Sequence, residues 1–364
     1  MKYSLIIPVF NRPDEVDELL ASLCGQSLRD FEVVVVEDGS SVPCRDVVER
    51  YADRLTVKYY TKPNSGPGQT RNYGAERSEG EWLIVLDSDV VLPPGYMQAV
   101  DDELQAQPCD AFGGPDRAHE SFTPVQKAIN YSMTSFFTTG GIRGGKKQGA
   151  LDKFYPRSFN MGVRAELYRH LGGFSAMRFG EDIDLSIRIF ESGARCRLFP
   201  EAWVWHKRRT DWRKFFRQVF NSGIARVNLE KRHPGSMKLV HMLPAVFTVG
   251  VGLLALVFLV GLVLAGVGLW AGLCGSTGCN MGLVVAYGGA ALMVLALLPL
   301  LLYSLIIFVD SSWRNHSLRV GLLSVPASFI QLMGYGMGFL KAWWLRSICG
   351  RDEELQAFRK TFYK

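Results

Sequence analysis

Short apolar runs alternate with helical patterns through the N-terminal part of the chain. Four runs predict buried strands: residues 4–9, 31–36, 56–60 and 82–86. Between them, Val16, Leu19, Leu20 and Leu23 recur at helical spacing, and 47–55 and 68–77 also favour helices. Strands and helices that alternate with short links indicate an α/β fold in which helices cover a sheet. Ligands bind such sheets beyond the carboxyl ends of the strands.

The hydropathy of the chain changes abruptly after Lys238. No Asp, Glu, Lys or Arg occurs from Leu239 to Val309, and an uncharged stretch of this length exceeds any soluble core helix. We therefore predict three regions along the chain. They are a catalytic domain at 1–235, a transmembrane region at 239–345 with spans at about 243–270 and 281–309, and a polar tail at 346–364.

A third apolar segment, residues 318–340, is harder to assign. Pro326, Gln331 and several glycines interrupt it, and Lys341 and Arg346 follow it. If it crossed the membrane fully, these charges would lie outside, against the positive-inside rule. A third full span and a re-entrant or interfacial segment both remain open.

Positive charge is concentrated just before the first predicted span, although the net charge of the chain is only +6. The residues are Lys207, Arg208, Arg209, Arg213, Lys214, Arg217, Arg226, Lys231 and Arg232. Such flanking charge predicts a cytoplasmic catalytic domain and contact with anionic membrane lipid, and an ordinary solvated basic face is the alternative. No nucleic-acid motif accompanies these residues, so we expect no nucleic-acid partner.

Two segments near these charges have more than one interpretation. Residues 211–232 combine aromatic and apolar residues at helical spacing with basic ones, which suits an amphipathic helix in the membrane interface. An ordinary helix packed on the sheet is the alternative. Residues 140–148 are rich in glycine and lysine, and form either a loop that closes over a ligand or a flexible linker.

The chain has seven cysteines, and the four in the N-terminal part lack metal-type spacing, which suits a reducing compartment. Cys274 and Cys279 fall in the short loop between the first two spans and form either a disulfide or two free thiols. The first apolar run is too short for a signal peptide. We therefore expect the N-terminal domain to stay in the cytoplasm.

Asp87-Ser88-Asp89 directly follows the strand predicted at 82–86. Residues two apart in a strand point the same way, so both carboxylates can face one ligand. Paired carboxylates suit Mn²⁺ or Mg²⁺, and such an ion can hold a diphosphate. A plain acidic turn is the alternative. His206 is a candidate third metal ligand, or an ordinary core or surface histidine.

Two further segments carry candidate chemistry. In the segment 62–72 (KPNSGPGQTRN), small residues allow close backbone approach to a ligand, and a helix starting near Gly68 offers N–H groups to an anion. Arg71 can reach phosphate or fix an aspartate there, and a simple turn is the alternative. In the segment 179–184 (FGEDID), clustered carboxylates raise one another's pKa, as a general base requires; a solvated acidic turn is the alternative.

Five stretches in order resemble the family-2 glycosyltransferases with the GT-A fold: IIPVFNRPDEVDELLASLCGQS, VVVEDGS, NSGPGQTRNYGAERSEGEWLIVLDSD, FNMGVRAELYRHLGGF and FGEDIDLSIRI. The resemblance covers nearly all of residues 3–210. It implies an α/β fold with a GT-A type, Rossmann-like mixed sheet flanked by helices. It also implies a nucleoside diphosphate sugar as donor and a divalent metal, Mn²⁺ or Mg²⁺, as cofactor.

The resemblance further implies roles for donor-site residues. Asp38 would contact the nucleotide base, with Pro8, Asn11 and Glu37 beside it. The family more often has aspartate at the position of Glu37. Asn64 belongs to the same donor pocket.

Other roles follow from the same resemblance. Arg71 would hold the nucleotide-diphosphate pocket together, Asp87 and Asp89 would hold metal and diphosphate, and His206 would complete the metal site. Asn160 would line the sugar or acceptor pocket. Asp182 would be the general base, with Glu181 beside it in the donor site. Helix is the family's state for 184–192.

The implied reaction is a direct displacement at the anomeric carbon with inversion. The Q-x-x-R-W motif of processive synthases is not found, since this chain reads Arg217-Gln218-Val219-Phe220, so we predict transfer of one sugar or few. The expected donor is a UDP-sugar, with GDP and dTDP open. The expected acceptor is lipid-linked, at the cytoplasmic face of a bacterial inner membrane.

Polyprenyl phosphate as the acceptor itself is the close alternative. A nucleotidyltransferase normally has a glycine-rich loop after its first strand, where this chain has Pro-Val-Phe-Asn-Arg. A non-catalytic sugar-binding module would have no reason to keep Asp87, Asp89 and Asp182.

Overall fold

The computed structural model of the chain describes residues 1–117, 122–140, 155–207, 211–273 and 279–351. Several sequence expectations fall outside these residues. They concern most of the loop 140–148, Arg208, Arg209, the pairing of Cys274 with Cys279, and residues 352–364 of the tail.

Apolar strands form a seven-stranded sheet at the centre of the N-terminal part. The strands of the described residues are β1 (Tyr3–Val9), β2 (Phe31–Asp38), β3 (Val57–Lys62), β4 (Trp82–Leu86), β5 (Val90–Val91), β6 (Ala111–Gly113), β7 (Asp116–Arg117), β8 (Asn160–Arg164), β9 (Cys196–Leu198) and β10 (Val204–His206). Seven of them form the central sheet in the order β3-β2-β1-β4-β8-β6-β9, and the other three form a small sheet in the order β5-β10-β7. β1 to β4 are parallel, and β8 is antiparallel to both β4 and β6. The predicted mixed sheet is confirmed.

Helices lie on both faces of this sheet and beside it. They are α1 (Pro13–Cys24), α2 (Arg45–Glu49), α3 (Pro67–Ala75), α4 (Tyr96–Ala106), α5 (Pro124–Thr134), α6 (Phe136–Thr139), α7 (Ala165–His170), α8 (Glu181–Glu191) and α9 (Trp212–Arg232). Of these, α5, α6 and α9 pack on the long apolar helices that follow in the chain, and the others contribute to the two core clusters of the sheet. The helix predicted at 47–55 is shorter, because after Glu49 the backbone continues through hydrogen bonds three residues apart. Val48, Tyr51 and Leu55 are nevertheless buried, which accounts for the helical spacing of apolar residues.

Three long apolar helices follow: α10 (Leu239–Leu273), α11 (Cys279–Asn315) and α12 (Leu318–Trp343), which passes into a π-helical turn at Trp344–Ile348. By length and composition each is a candidate membrane span, which suggests a membrane protein. α12 is one continuous helix that runs through Pro326. A re-entrant segment would need a break in the helix, and none is seen there. α12 is far more covered by protein than α10 and α11, with 44% of its most apolar window buried against 6% and 11%.

The predicted amphipathic helix α9 packs mainly on α12, rather than on the sheet or with its apolar face free for lipid. Its buried residues include Phe215, Val219 and Gly223. A Cβ atom at Gly223 would lie 2.1 Å from the carbonyl oxygen of Tyr335, and one at Gly338 would lie 2.0 Å from that of Phe220. The two backbones therefore approach so closely that only glycine fits. The N-terminal domain is held on the apolar helices by this crossing.

Replacing Gly338 by alanine tests the crossing. We expect the free energy of unfolding to fall by about 1–3 kcal/mol, because the added methyl group overlaps a backbone oxygen that cannot move alone. The measurement is thermal unfolding of the full chain in detergent. Gly250→Ala is the matched control, since its Cβ would meet nothing within 4 Å. The control should unfold at or above the wild-type temperature, because alanine favours helix; equal effects of both variants would contradict the packing.

Candidate functional site

A single cavity of about 780 Å³ opens beyond the carboxyl ends of β1, β2 and β4 and extends to α8. Of the residues selected from the sequence, seven line it: Pro8, Asp38, Arg71, Asp87, Asp89, Glu181 and Asp182. Asp89 and Asp182 therefore share one cavity, although they are far apart in sequence.

Asp87, Asp89 and His206 form a cluster in which one ligand atom of each lies within 4.8 Å of the others. His206 reaches Asp89 because β10 pairs antiparallel with β5, the strand that begins at Val90. The His206 Nε2 atom is 3.2 Å from Asp89 Oδ1, and its ring stacks on Phe159. Its Nδ1 atom is buried without a hydrogen-bond partner among the described residues. Two carboxylates and an imidazole suit Mn²⁺, and Mg²⁺ with added waters, so these residues fit a divalent ion.

Arg12 also belongs to this cluster, and the sequence patterns did not single it out as a site residue. Its Nη1 atom lies 2.7 Å from Asp89 Oδ2. Burial opposes the charge of the guanidinium, but Asp89 and Glu15 outweigh it, so the pKa of Arg12 is raised. Arg12 is therefore a fixed positive charge beside the acidic pair.

Arg71 joins the acidic pair to α8. Its Nη2 atom lies 2.7 Å from Asp87 Oδ1 and its Nη1 atom 3.0 Å from Glu181 Oε1. The side chain is almost fully buried, and the two carboxylates raise its pKa against the opposing effect of burial. Of the two sequence interpretations, the structure favours fixing an aspartate, because both arms of the guanidinium are held by carboxylates.

Glu181 and Asp182 are adjacent, yet their pKa values move in opposite directions. Burial and the charge of Asp182 raise the pKa of Glu181 to about 7, although Arg71 opposes this. Burial also disfavours the charge of Asp182, but Arg157 outweighs it and the pKa of Asp182 is lowered. The Arg157 Nε atom donates to Asp182 Oδ2 at 2.6 Å. Asp182 is therefore the carboxylate that is ionised at neutral pH.

Asp38 lines the cavity and also organises the loop after β3. Its carboxylate accepts hydrogen bonds from Lys62 Nζ and from the backbone N–H groups of Ser65 and Gly66, each at 2.8 Å. Asn64 Nδ2 donates to the Asp38 carbonyl at 2.8 Å. Asn64 thus shapes the loop beside Asp38, and it is not among the lining residues.

Glu37 and Asn11 hold the loop after β2 rather than facing the cavity. Glu37 is buried and accepts from Cys44 N at 2.6 Å and from the Ser40 hydroxyl. Asn11 adopts a left-handed backbone conformation with φ 54°, and its Oδ1 accepts from Ser41 N at 2.8 Å. In the described part of the chain neither side chain lines the cavity.

Asn160 differs from the sequence expectation that it lines the sugar or acceptor pocket. The side chain is fully buried and does not line the cavity. Its Oδ1 accepts from Tyr96 OH at 2.6 Å and its Nδ2 donates to Ala202 O at 2.7 Å. Both ends of the amide are used inside the protein, so Asn160 joins β8 to the segment before β10.

The cavity does not end at the sheet. It continues along one face of α9 and reaches the first turn of α10 and the middle of α12. Sequence reasoning missed Arg157 as a site residue, and it assigned Lys214, Arg217 and Arg226 to contact with membrane lipid rather than to the cavity. No motif surrounds Arg157, and only the path of the chain brings it to α8.

Comparison with known proteins bears on this site. Residues 4–172 match the model of Glycosyl transferase family 2. An uncharacterized glycosyltransferase of Haemophilus influenzae is 31% identical over 194 residues, which are 52% of this chain and 62% of that protein. The pre-mycofactocin glycosyltransferase of Mycobacterium tuberculosis is 31% identical over 240 residues, which are 64% of this chain and 48% of that protein. The chain thus spans less than two thirds of the length of either relative.

The fold is shared with a solved structure of low sequence identity. The mannosyltransferase PcManGT from Pyrobaculum calidifontis, solved with GDP-Man and Mn²⁺, matches with a TM-score of 0.54 and 14% identity. The match covers 94% of this chain and 87% of that chain. This likeness confirms the fold expected from the sequence.

Proposed function

We propose that this chain, whose residues 4–172 match the model of Glycosyl transferase family 2, moves a single sugar from a nucleoside diphosphate sugar to a lipid-linked acceptor at a membrane. The expected donor is a UDP-sugar, and the reaction inverts the anomeric configuration. The observation that carries the proposal is one cavity lined by both the Asp87–Asp89 pair and the ionised Asp182.

In this proposal Asp87, Asp89 and His206 hold a divalent ion, which when bound neutralises charge on the departing diphosphate. Arg71 keeps Asp87 in place and Arg12 keeps Asp89 in place. The Asp182 carboxylate takes the proton from the acceptor hydroxyl, and Arg157 keeps that carboxylate ionised beforehand. The mannosyltransferase that shares the fold was solved with Mn²⁺ and a nucleotide sugar, which supports a metal here.

The proposed location is the cytoplasmic face of a bacterial inner membrane. Three candidate spans and the basic residues before the first span support it. In this proposal residues 1–235 are the catalytic domain and residues 239–345 are the membrane region. Transfer to polyprenyl phosphate itself remains the second candidate, because the cavity reaches the apolar helices and so admits a lipid of either kind.

A thermal-shift screen of UDP-, GDP- and dTDP-sugars, with and without Mn²⁺, tests the donor assignment on the full chain in detergent. A true donor at about a hundred times its Kd should stabilise the protein by about 2.7 kcal/mol, a shift of a few degrees. The shift should require Mn²⁺ or Mg²⁺. Stabilisation by no nucleotide sugar, with or without metal, would contradict the proposal.

The acceptor is tested separately. Membranes that contain the protein are incubated with labelled nucleotide sugar, either alone or with added plain polyprenyl phosphate. Label that appears on the added polyprenyl phosphate supports the second candidate. Label that appears only on endogenous lipid-linked glycan supports the first.

A further inference from the structure

One wall of the cavity is made by α9 and carries positive charge. Lys214, Arg217 and Arg226 line it. Lys214 and Arg217 are neighbours on the helix surface, whereas Arg226, nine residues beyond Arg217, lies half a turn away around the helix axis, so the two arginines flank the wall from opposite sides. The carboxylates that line the cavity come from the strand ends and α8, and within the described ranges none comes from α9, α10 or α12. At the donor end of the cavity carboxylates and arginines therefore stand together, whereas the described lining residues of α9, α10 and α12 contribute positive charge without any carboxylate. We call this second part the basic wall.

The charges of the basic wall have no acidic partner within the described residues. In the described part of the chain, no carboxylate lies within ion-pair distance of Lys214, Arg217 or Arg226. Other members of the basic cluster are engaged elsewhere: Lys207 pairs with Glu18 and Arg232 with Asp184. Uncompensated guanidinium groups in a cavity favour an anion, and their fork geometry suits phosphate.

The rest of this end combines apolar surface with one unsatisfied polar group. Leu243 and Pro244 in the second turn of α10 line it, as does Gln331 of α12. The Gln331 Oε1 atom is buried without a hydrogen-bond partner among the described residues. Buried amides in proteins almost always have partners, so Gln331 is a candidate contact for a hydrogen-bond donor of a ligand in this part of the cavity.

The position of the basic wall indicates where that ligand comes from. α10 begins at Leu239 and is a candidate span, so its first turns lie where the phosphate of a bilayer lipid is found. A free phosphate would need the charges but not the apolar side of the cavity. The donor diphosphate belongs at the other end, with the acidic pair and the metal it would hold.

We propose that the basic wall is the acceptor-phosphate site, in which Arg217, Arg226 and Lys214 bind the phosphate of a lipid-borne acceptor whose hydrocarbon chain lies against Leu243 and Pro244. This inference rests on the proposed glycosyltransferase function and deepens it. It explains why one face of α9 faces the cavity while the other is fixed on α12. Polyprenyl phosphate carries such a phosphate, as does any glycan that is joined to its lipid through one.

The test measures binding of three probes to the full chain in detergent: farnesyl phosphate, farnesol and inorganic phosphate. Wild type should bind farnesyl phosphate more tightly than either other probe. The double variant Arg217→Gln/Arg226→Gln should bind farnesyl phosphate about ten- to a hundredfold more weakly, because two charge-assisted hydrogen-bonding groups are lost. Arg217→Lys/Arg226→Lys should recover part of the affinity, since the charges return without the fork geometry.

Arg213→Gln is the matched control, because it removes the same charge from the same helix at a position that does not line the cavity. It should bind farnesyl phosphate as wild type does. Equal binding of farnesol and farnesyl phosphate would overturn phosphate recognition, and equal binding of inorganic phosphate would overturn a lipid source. A loss in Arg213→Gln as large as in the double variant would overturn the site.

Nucleotide-sugar binding is measured on the same samples. If the double variant keeps the wild-type affinity for the donor, its weaker binding of farnesyl phosphate is a property of the acceptor end of the cavity. If wild type binds no nucleotide sugar, the proposed function fails while the result for farnesyl phosphate still stands. Weaker donor binding by the double variant would overturn the assignment of the basic wall to the acceptor.

Discussion

Replacing Asp182 by asparagine is expected to lower kcat by about a hundred- to ten-thousandfold, the usual contribution of a general base. Asparagine keeps the size of the side chain but cannot take a proton from the acceptor. Arg157, 2.6 Å away, lowers the pKa of Asp182 and so keeps its carboxylate ionised and able to accept a proton, although a lowered pKa also makes it a weaker base. The raised pKa that the sequence predicted for this carboxylate cluster is found at Glu181 instead. The measurement is the rate of sugar transfer at saturating donor, together with donor affinity by thermal shift.

Donor affinity should remain close to that of wild type in Asp182→Asn, because in the proposed mechanism this side chain acts on the acceptor. Asp102→Asn is the matched control: Asp102 is an exposed aspartate on α4, outside the cavity. It should transfer sugar at the wild-type rate. A kcat for Asp182→Asn within a few-fold of wild type would rule out the assignment of the base.

Glu181 provides a useful contrast, because it is the neighbouring carboxylate with the opposite electrostatic environment. Its pKa is raised to about 7, and its Oε1 atom is bound to Arg71. Arg71 in turn holds Asp87. We infer that Glu181 acts through Arg71 on the diphosphate end, so its role is to position other side chains rather than to accept the proton.

The strands of the central sheet could be predicted from the sequence because each is encoded by a short run of neighbouring residues. Residues 33–36 are four consecutive valines, and a short β-branched run of this kind is typical of a strand buried on both faces. The acidic pair could be predicted for the same reason, since it follows directly on β4. The position of His206 could not be predicted from local sequence in this way. Its contact with Asp89 depends on the pairing of β10 with β5.

The parts that could not be predicted depend on contacts between distant segments. Arg157 meets Asp182 across a separation of 25 residues, with no motif around it. Asn160 follows Arg157 closely, yet its amide is used by Tyr96 and Ala202 inside the protein. The surface on which α9 packs could not be predicted from the sequence either, because an amphipathic helix has the same residue pattern whether lipid or another helix covers its apolar face. In the structure the glycines of α12 answer that question, because a Cβ atom at Gly338 would lie 2.0 Å from the carbonyl oxygen of Phe220, so glycine is needed for α9 to pack there.

Metal removal is the second large effect that we expect. Chelation of the wild-type protein by EDTA should abolish transfer, and added Mn²⁺ or Mg²⁺ should restore it. Asp89→Asn should lower kcat/KM by about a hundredfold or more, because one charged ligand of three is lost and the charge on the departing diphosphate is less well neutralised. Added metal should restore this variant only partly.

Activity alone cannot separate a lost ligand from a distorted site, since Asp89 also pairs with Arg12. Direct Mn²⁺ binding, followed by the electron paramagnetic resonance signal of the free ion in the presence of a nucleoside diphosphate, makes that separation. Asp89→Asn and His206→Gln should both bind Mn²⁺ more weakly, whereas Arg12→Gln should retain Mn²⁺ affinity because it removes no ligand and leaves the carboxylate free. If His206→Gln bound Mn²⁺ as wild type does, the histidine would be only a neighbour of the acidic pair, and full transfer after exhaustive chelation would exclude the metal altogether.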